Sequence, residues 1–122
     1  MAQTPALRYT DTADAIDYTP GSAVTAGAVI VLGSMVAIAT QDIAANEKGS
    51  LALEGVFVVP KITGALTVGV PIYWDPAGNP VGGTAGSGAA TGTAGSLKKM
   101  GYVAEAAASG DATVKVVLRQ AV

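Results

Sequence analysis

Three short constellations in this chain have residue types and spacings that could do chemistry. Asp11, Asp14 and Asp17 recur every third residue, a spacing that gathers carboxylates on one helix face, where they could hold a cation. Ser96 and Lys99 stand in the Ser-x-x-Lys spacing, in which an amine can activate a serine hydroxyl. The run Gly82 to Gly88 has the glycine content of a loop that cradles phosphate with its backbone amides. Each fails on its surroundings. Thr10, Thr12 and Pro20 argue for an extended chain around the aspartates, which makes them a solvated acidic rim. Ser96 and Lys99 follow a flexible tract and lack the companion motifs. The glycine run has no Lys-Ser/Thr ending and no strand–loop–helix setting.

The remaining inventory removes more chemistry than it offers. His and Cys are both absent, so imidazole acid–base catalysis, disulfides, thiolate nucleophiles and sulfur metal sites drop out. Asp42, Glu47 and Glu54 do not match a calcium loop, which needs alternating oxygen ligands and a terminal bidentate acid, and Asp75-Pro76-Ala77-Gly78-Asn79 reads as a plain turn. No catalytic residue, cofactor or metal ligand is assigned. With seven basic and nine acidic residues and only Lys98-Lys99 adjacent, nucleic acid is not an expected partner. The longest apolar run, Ala26 to Leu32, is too short to span a bilayer, so no membrane partner is expected. No basic region followed by an apolar segment opens the chain, and cytoplasmic synthesis is the natural reading.

One pair keeps a functional reading open. Tyr73 and Trp74 face opposite ways in a strand. The favoured arrangement has Tyr73 inside and Trp74 covering a sheet edge. In the alternative, one of them anchors a protein interface, where rigid aromatics concentrate binding energy. A carbohydrate platform is a third reading.

The elements that position these residues are short strands. Sixteen Gly and six Pro interrupt every stretch long enough for a helix. Asp14–Tyr18 reads as an edge strand, and Thr19-Pro20-Gly21-Ser22 as a turn. Val24–Gly27, Val29–Leu32 and Met35–Ala39 read as a meander. Asp42 to Gly49 has room for one helical turn capped by Asp42. Leu51, Leu53, Gly55, Phe57 and Val59 share the core face of an extended segment. On its other face Glu54 wants water, while Val56 and Val58 want cover, such as a neighbouring subunit would give. Val81 begins a return strand, Leu97–Val103 is ordered, and Ala104–Ser109 suits a short helical turn. The last strand is the clearest: Val114, Val116 and Leu118 point one way, and Thr113, Lys115, Val117 and Arg119 the other. The organisation is a flexible arm over residues 1–13 and a single β domain over 14–122, with a flexible Gly/Ala-rich loop at 82–96. The fold class is all-β, a small β-barrel or β-sandwich of short antiparallel strands with at most one or two helical turns.

Several strings carry a resemblance. They are Leu53-Glu54-Gly55-Val56-Phe57-Val58-Val59-Pro60-Lys61, the Asp42-Ile43-Ala44 core of Ala39–Ala44, and Gly69 to Asp75. Gly101 to Ala106, Ser109-Gly110-Asp111 and the terminal Val116-Val117-Leu118 complete the set. Their order and spacing resemble a family of small proteins of tailed phages and prophages, long catalogued as a domain of unknown function. The resemblance runs from about Gly21 to Leu118. It implies a virion head protein encoded near the major capsid protein, which decorates or stabilises the shell. Some relatives carry a label as recombination ATPases, which this chain does not support, since it lacks Gly-x-x-x-x-Gly-Lys-Ser/Thr. The implied partner is the major capsid protein; the small aliphatic core and the doubly apolar strand 51–59 favour further copies of the chain as well, in a trimer over capsid symmetry points. The implied location is the capsid surface, with host cytoplasm during assembly. Candidate interface residues are Val56, Val58, Tyr73 and Trp74. The alternatives are another virion part, such as a fibre base or tail component, and a carbohydrate-binding surface module.

Overall fold

Short apolar runs punctuated by glycine and proline fold into strands, with no helix among the described residues. The structure, a computed structural model, describes residues 3–7 and 14–119. The strands are β1 (Ala15–Tyr18), β2 (Val29–Leu32), β3 (Met35–Ala39), β4 (Gly49–Ala52), β5 (Gly55–Pro60), β6 (Pro71–Asp75), β7 (Ala89–Thr91), β8 (Lys98–Glu105) and β9 (Thr113–Leu118). They form two antiparallel sheets, ordered β1-β4-β3-β2 and β5-β9-β8-β6-β7.

The all-β reading holds, and the two sheets decide between its alternatives. They are not closed into a barrel and fit a sandwich. The five-stranded sheet curls enough for its edges to touch once. Lys61, just past β5, bridges Ala90 of β7, and the Ile62 amide donates to the Ala90 carbonyl at 3.1 Å. The four-stranded sheet packs into that curl through β3. Val36 and Ile38 enter one core with Ile72, Trp74, Met100, Val103, Val114, Val116 and Leu118. Their neighbours Ala37 and Ala39 point the other way, into a second core around Ile43, Leu51 and Leu53. β3 is thus buried on both faces, and period-two alternation divides its side chains between two cores.

Sequence and structure part company at five places. Val24 bridges Ile43 and does not join the meander, although β2 and β3 form the expected hairpin. Gly33 closes that hairpin with the positive φ of 59° that tight two-residue turns use. The segment from Leu51 to Val59 is two strands in two sheets. Gly55, at φ 134°, turns the chain from one layer to the other. This corner explains the mixed outer face: Leu51 and Leu53 serve the second core, while Val59 serves the first. Phe57 is half-buried against that first core. Neither expected helical turn forms, and Asp42 instead accepts a hydrogen bond at Oδ1 from the Ala26 amide at 2.8 Å. Val81 lies outside any strand, its amide donating to the Lys61 carbonyl at 2.9 Å.

The fifth difference is the Gly/Ala-rich tract. Residues 82–87 and 92–96 are exposed, but Ala89–Thr91 between them are buried as β7. The cause is the Trp74 indole, which lies where larger side chains would go. A Cβ on Gly88 would stand 2.7 Å from Trp74 Cζ2, and one on Gly78 would stand 3.1 Å from the Ala89 Cβ. Ala90 pairs directly with Trp74 across the ladder. Gly88 also holds φ 111°, which other residues adopt only with strain.

Of the expected arm, residues 3–7 are exposed and outside any strand. Residues 1–2, 8–13 and 120–122 lie outside the described residues, and Asp11 with them.

Gly88→Ala should therefore cost about 1–3 kcal/mol in urea unfolding, through overpacking and backbone strain. Ala85→Ser, three residues away on the exposed part of the tract, should stay within about 0.5 kcal/mol of the parent.

Candidate functional site

The outer face of the five-stranded sheet follows from alternation alone. Since Val114, Val116 and Leu118 of β9 fill the core, Lys115 and Val117 point outward. The register sets Val56 of β5 opposite Val117, Val117 opposite Tyr102 of β8, and Tyr102 opposite Pro71 of β6. These four residues form one row across four strands. A second row sets Val58 opposite Lys115, with Lys115 opposite Glu105. Val56 and Val58 are 60% and 64% exposed, unusual for two valines on one strand, and Tyr102 is 38% exposed. β5 is also an edge strand.

Charges frame this apolar row. Lys99 Nζ lies 5.1 Å from the centre of the Tyr102 ring and 3.4 Å from its hydroxyl. Arg119 follows β9 and is exposed. Lys115 Nζ donates to Glu105 Oε2 at 2.8 Å, and that bond and charge hold the Glu105 carboxyl below its ordinary range. A shallow cleft beside Val58 is lined by Glu105, Asp111 and Lys115. Its acids are already engaged, Glu105 by Lys115 and Asp111 by the Ala108 amide at 2.8 Å.

The other sequence candidates are dispersed. Trp74 is 7% exposed and belongs to the core, while Tyr73 is half-buried, which reverses the arrangement favoured from sequence. Alternation was the right rule: Trp74 shares the face of Ile72, which is wholly buried. Of the four candidate interface residues, the outward valines stand together and Trp74 points inward. Lys99 is engaged with Tyr102, and the glycine run leads into a strand. Asp75 Oδ1 accepts from the Ala77 amide at 3.0 Å, the side-chain bond of a turn. Among the described residues, no three His, Cys, Asp or Glu side chains gather as metal ligands.

The sequence reading missed Lys61. It is fully buried, and its Nζ donates to the carbonyls of Ile62 (2.9 Å), Ser109 (3.1 Å) and Asp111 (3.3 Å). An ammonium group has three protons to donate, and here each has a carbonyl. The clamp ties the end of β5 to the turn before β9. The signal was present, since extending the alternation past Pro60 places Lys61 on the face of Val59.

This arrangement defines a class: a small two-sheet scaffold whose distinctive surface is an apolar row framed by charge, suited to contact with another protein. The model of the phage cement protein family matches residues 10–118, and the chain belongs to that family. It is a family of structural virion proteins that bind and stabilise the phage capsid, in agreement with the resemblance read from sequence. No curated protein and no solved structure matches the chain.

Two outcomes test this geometry. Lys61→Met removes three charged hydrogen bonds and leaves three carbonyls without that donor, so it should cost about 2–3 kcal/mol. Amide exchange should accelerate first around Ser109–Asp111. Glu105→Gln tests the ion pair by pH. A lowered folded-state value means that the carboxylate's contribution is full above the unfolded value and fades as pH falls through the folded one. The variant should therefore melt below the parent at neutral pH, and the difference should vanish as the pH falls well through the folded-state titration of Glu105.

Proposed function

We propose that this protein decorates the assembled phage capsid as a symmetric oligomer, with a trimer favoured, and stabilises it by protein–protein contacts with the major capsid protein. It performs no catalysis in this reading and takes no cofactor. It is made in the host cytoplasm and resides on the capsid surface. The observation that carries the reading is the exposed pair Val56 and Val58 on an edge strand of a chain in the cement family. Burying what remains exposed of both would contribute about 1–2 kcal/mol per side chain. Repetition over a shell multiplies it, because each oligomer engages several equivalent sites at once. The arm, whose residues 3–7 are exposed and include Leu7 at 89%, is the second contact.

Purified shells lacking the protein provide the test. Adding the parent should raise the temperature or denaturant concentration at which they rupture, and image reconstruction should place it at symmetry positions. The Val56→Asp/Val58→Asp double variant should fold with unchanged circular dichroism and lose at least about tenfold in shell affinity. Density at a tail or fibre base, or no effect on rupture by the parent, would refute the reading.

A further inference from the structure

An edge strand turns half of its backbone groups away from its sheet, and alternation says which half. The Lys61 amide donates to the Ala112 carbonyl at 3.2 Å, on the β9 side. The Ile62 amide donates the other way, to the Ala90 carbonyl of β7 at 3.1 Å. Counting back along β5 by twos, the amides of Val59 and Phe57 face β9, and those of Val58 and Val56 face away from it. Among the described residues, no strand pairs with that outer side of Val56 or Val58. Pro60 holds the next position of the same parity, where a missing amide proton takes nothing from the β9 ladder.

The edges of the two sheets are not equivalent. β7 is met at Ala90 by the backbone of Lys61 and Ile62. β1 carries Asp17, and a charge discourages pairing. β2 is half-buried along its whole length. β5 alone joins an unpaired backbone to exposed apolar side chains and carries no charge. Val56 and Val58 stand on its outer face, and Phe57, on the inner face, is only half-buried.

We propose that β5 takes up an extended segment of the capsid protein as a further strand. The inference rests on the decoration reading and adds how the shell is held: backbone to backbone along one edge. The added strand runs beside Gly55 to Val59, because the Lys61–Ala90 bridge closes the edge beyond Pro60. Its side chains alternate, so one set lies beside Val56 and Val58 and the other beside Phe57. Both sets are therefore apolar and uncharged. Lys115, across from Val58 on β9, is already paired with Glu105 and offers such a segment no free charge. The occupant is the shell protein and not a second copy, because Val56 and Val58 lie on this same edge and cannot meet both. Main-chain bonds supply the attachment, and the two valines set its register.

Val58→Pro separates backbone from side chain. Proline stays apolar and removes the outward amide proton, while the bonds to β9 remain. Val58→Ala keeps the proton and trims the side chain. On purified shells lacking the protein, Val58→Pro should bind at least about tenfold more weakly than the parent, with Val58→Ala between the two. Circular dichroism shows whether each variant folds. Image reconstruction of shells carrying the parent needs no variant, and should show a capsid strand about 4.8 Å from β5. If Val58→Pro does not fold, the reconstruction decides alone. Parent-like binding by folded Val58→Pro, weaker binding by Val58→Ala than by Val58→Pro, or no strand beside β5 would overturn the added strand and leave decoration standing. Sedimentation in which Val58→Pro dissociates the free oligomer would assign the edge to a sister copy and overturn it as well. A parent that does not bind shells defeats both readings.

Discussion

The structure depends on one strand being buried on both faces. β3 sends Val36 and Ile38 into the core of the five-stranded sheet and Ala37 and Ala39 into the core behind it. The two layers are thereby joined by side chains that cannot be exposed separately, and the five-stranded sheet can curl without closing. A closed barrel would satisfy its own edges. This sheet instead leaves β5 at an edge and fills its concave side with a neighbouring layer. On the outer side of that sheet Val56, Val117 and Tyr102 line up.

Much of the fold was legible because it obeys a period of two. β9 reads directly from Val114, Val116 and Leu118, and the β2–β3 hairpin from two β-branched runs around Gly33-Ser34. The errors have a common physical source. Periodicity states which residues share a face, but it does not say which layer that face meets. Leu51 to Val59 alternates without interruption although Gly55 carries the chain between sheets. Tyr73 and Trp74 were placed on opposite faces correctly, while the choice of the inner one required knowing where Ile72 lies. β7 was hidden for a different reason. Its residues are small because an indole occupies the space beside them, and composition alone cannot separate that cause from looseness.

The outward valines were legible as residues that want cover, and the cement family supplies the setting in which cover is available. Lys61 was missed because a lysine after proline normally signals a solvated strand end. Its burial against three carbonyls makes it a structural tie. Trp74 moves in the opposite direction, from candidate anchor to core. In both cases the side chain's chemistry suggested one role and its position in the alternation dictated another.

The tract after Pro80 also separates two properties that usually travel together. Its packed portion, Gly88 to Thr91, fixes the strand against the indole, while residues 82–87 form exposed turns, with the Gly86 amide donating to Asn79 Oδ1 at 2.8 Å. On a particle covered by such scaffolds, a foreign epitope spliced in at Ala85 would be displayed in many regularly spaced copies, supported by packing it never touches.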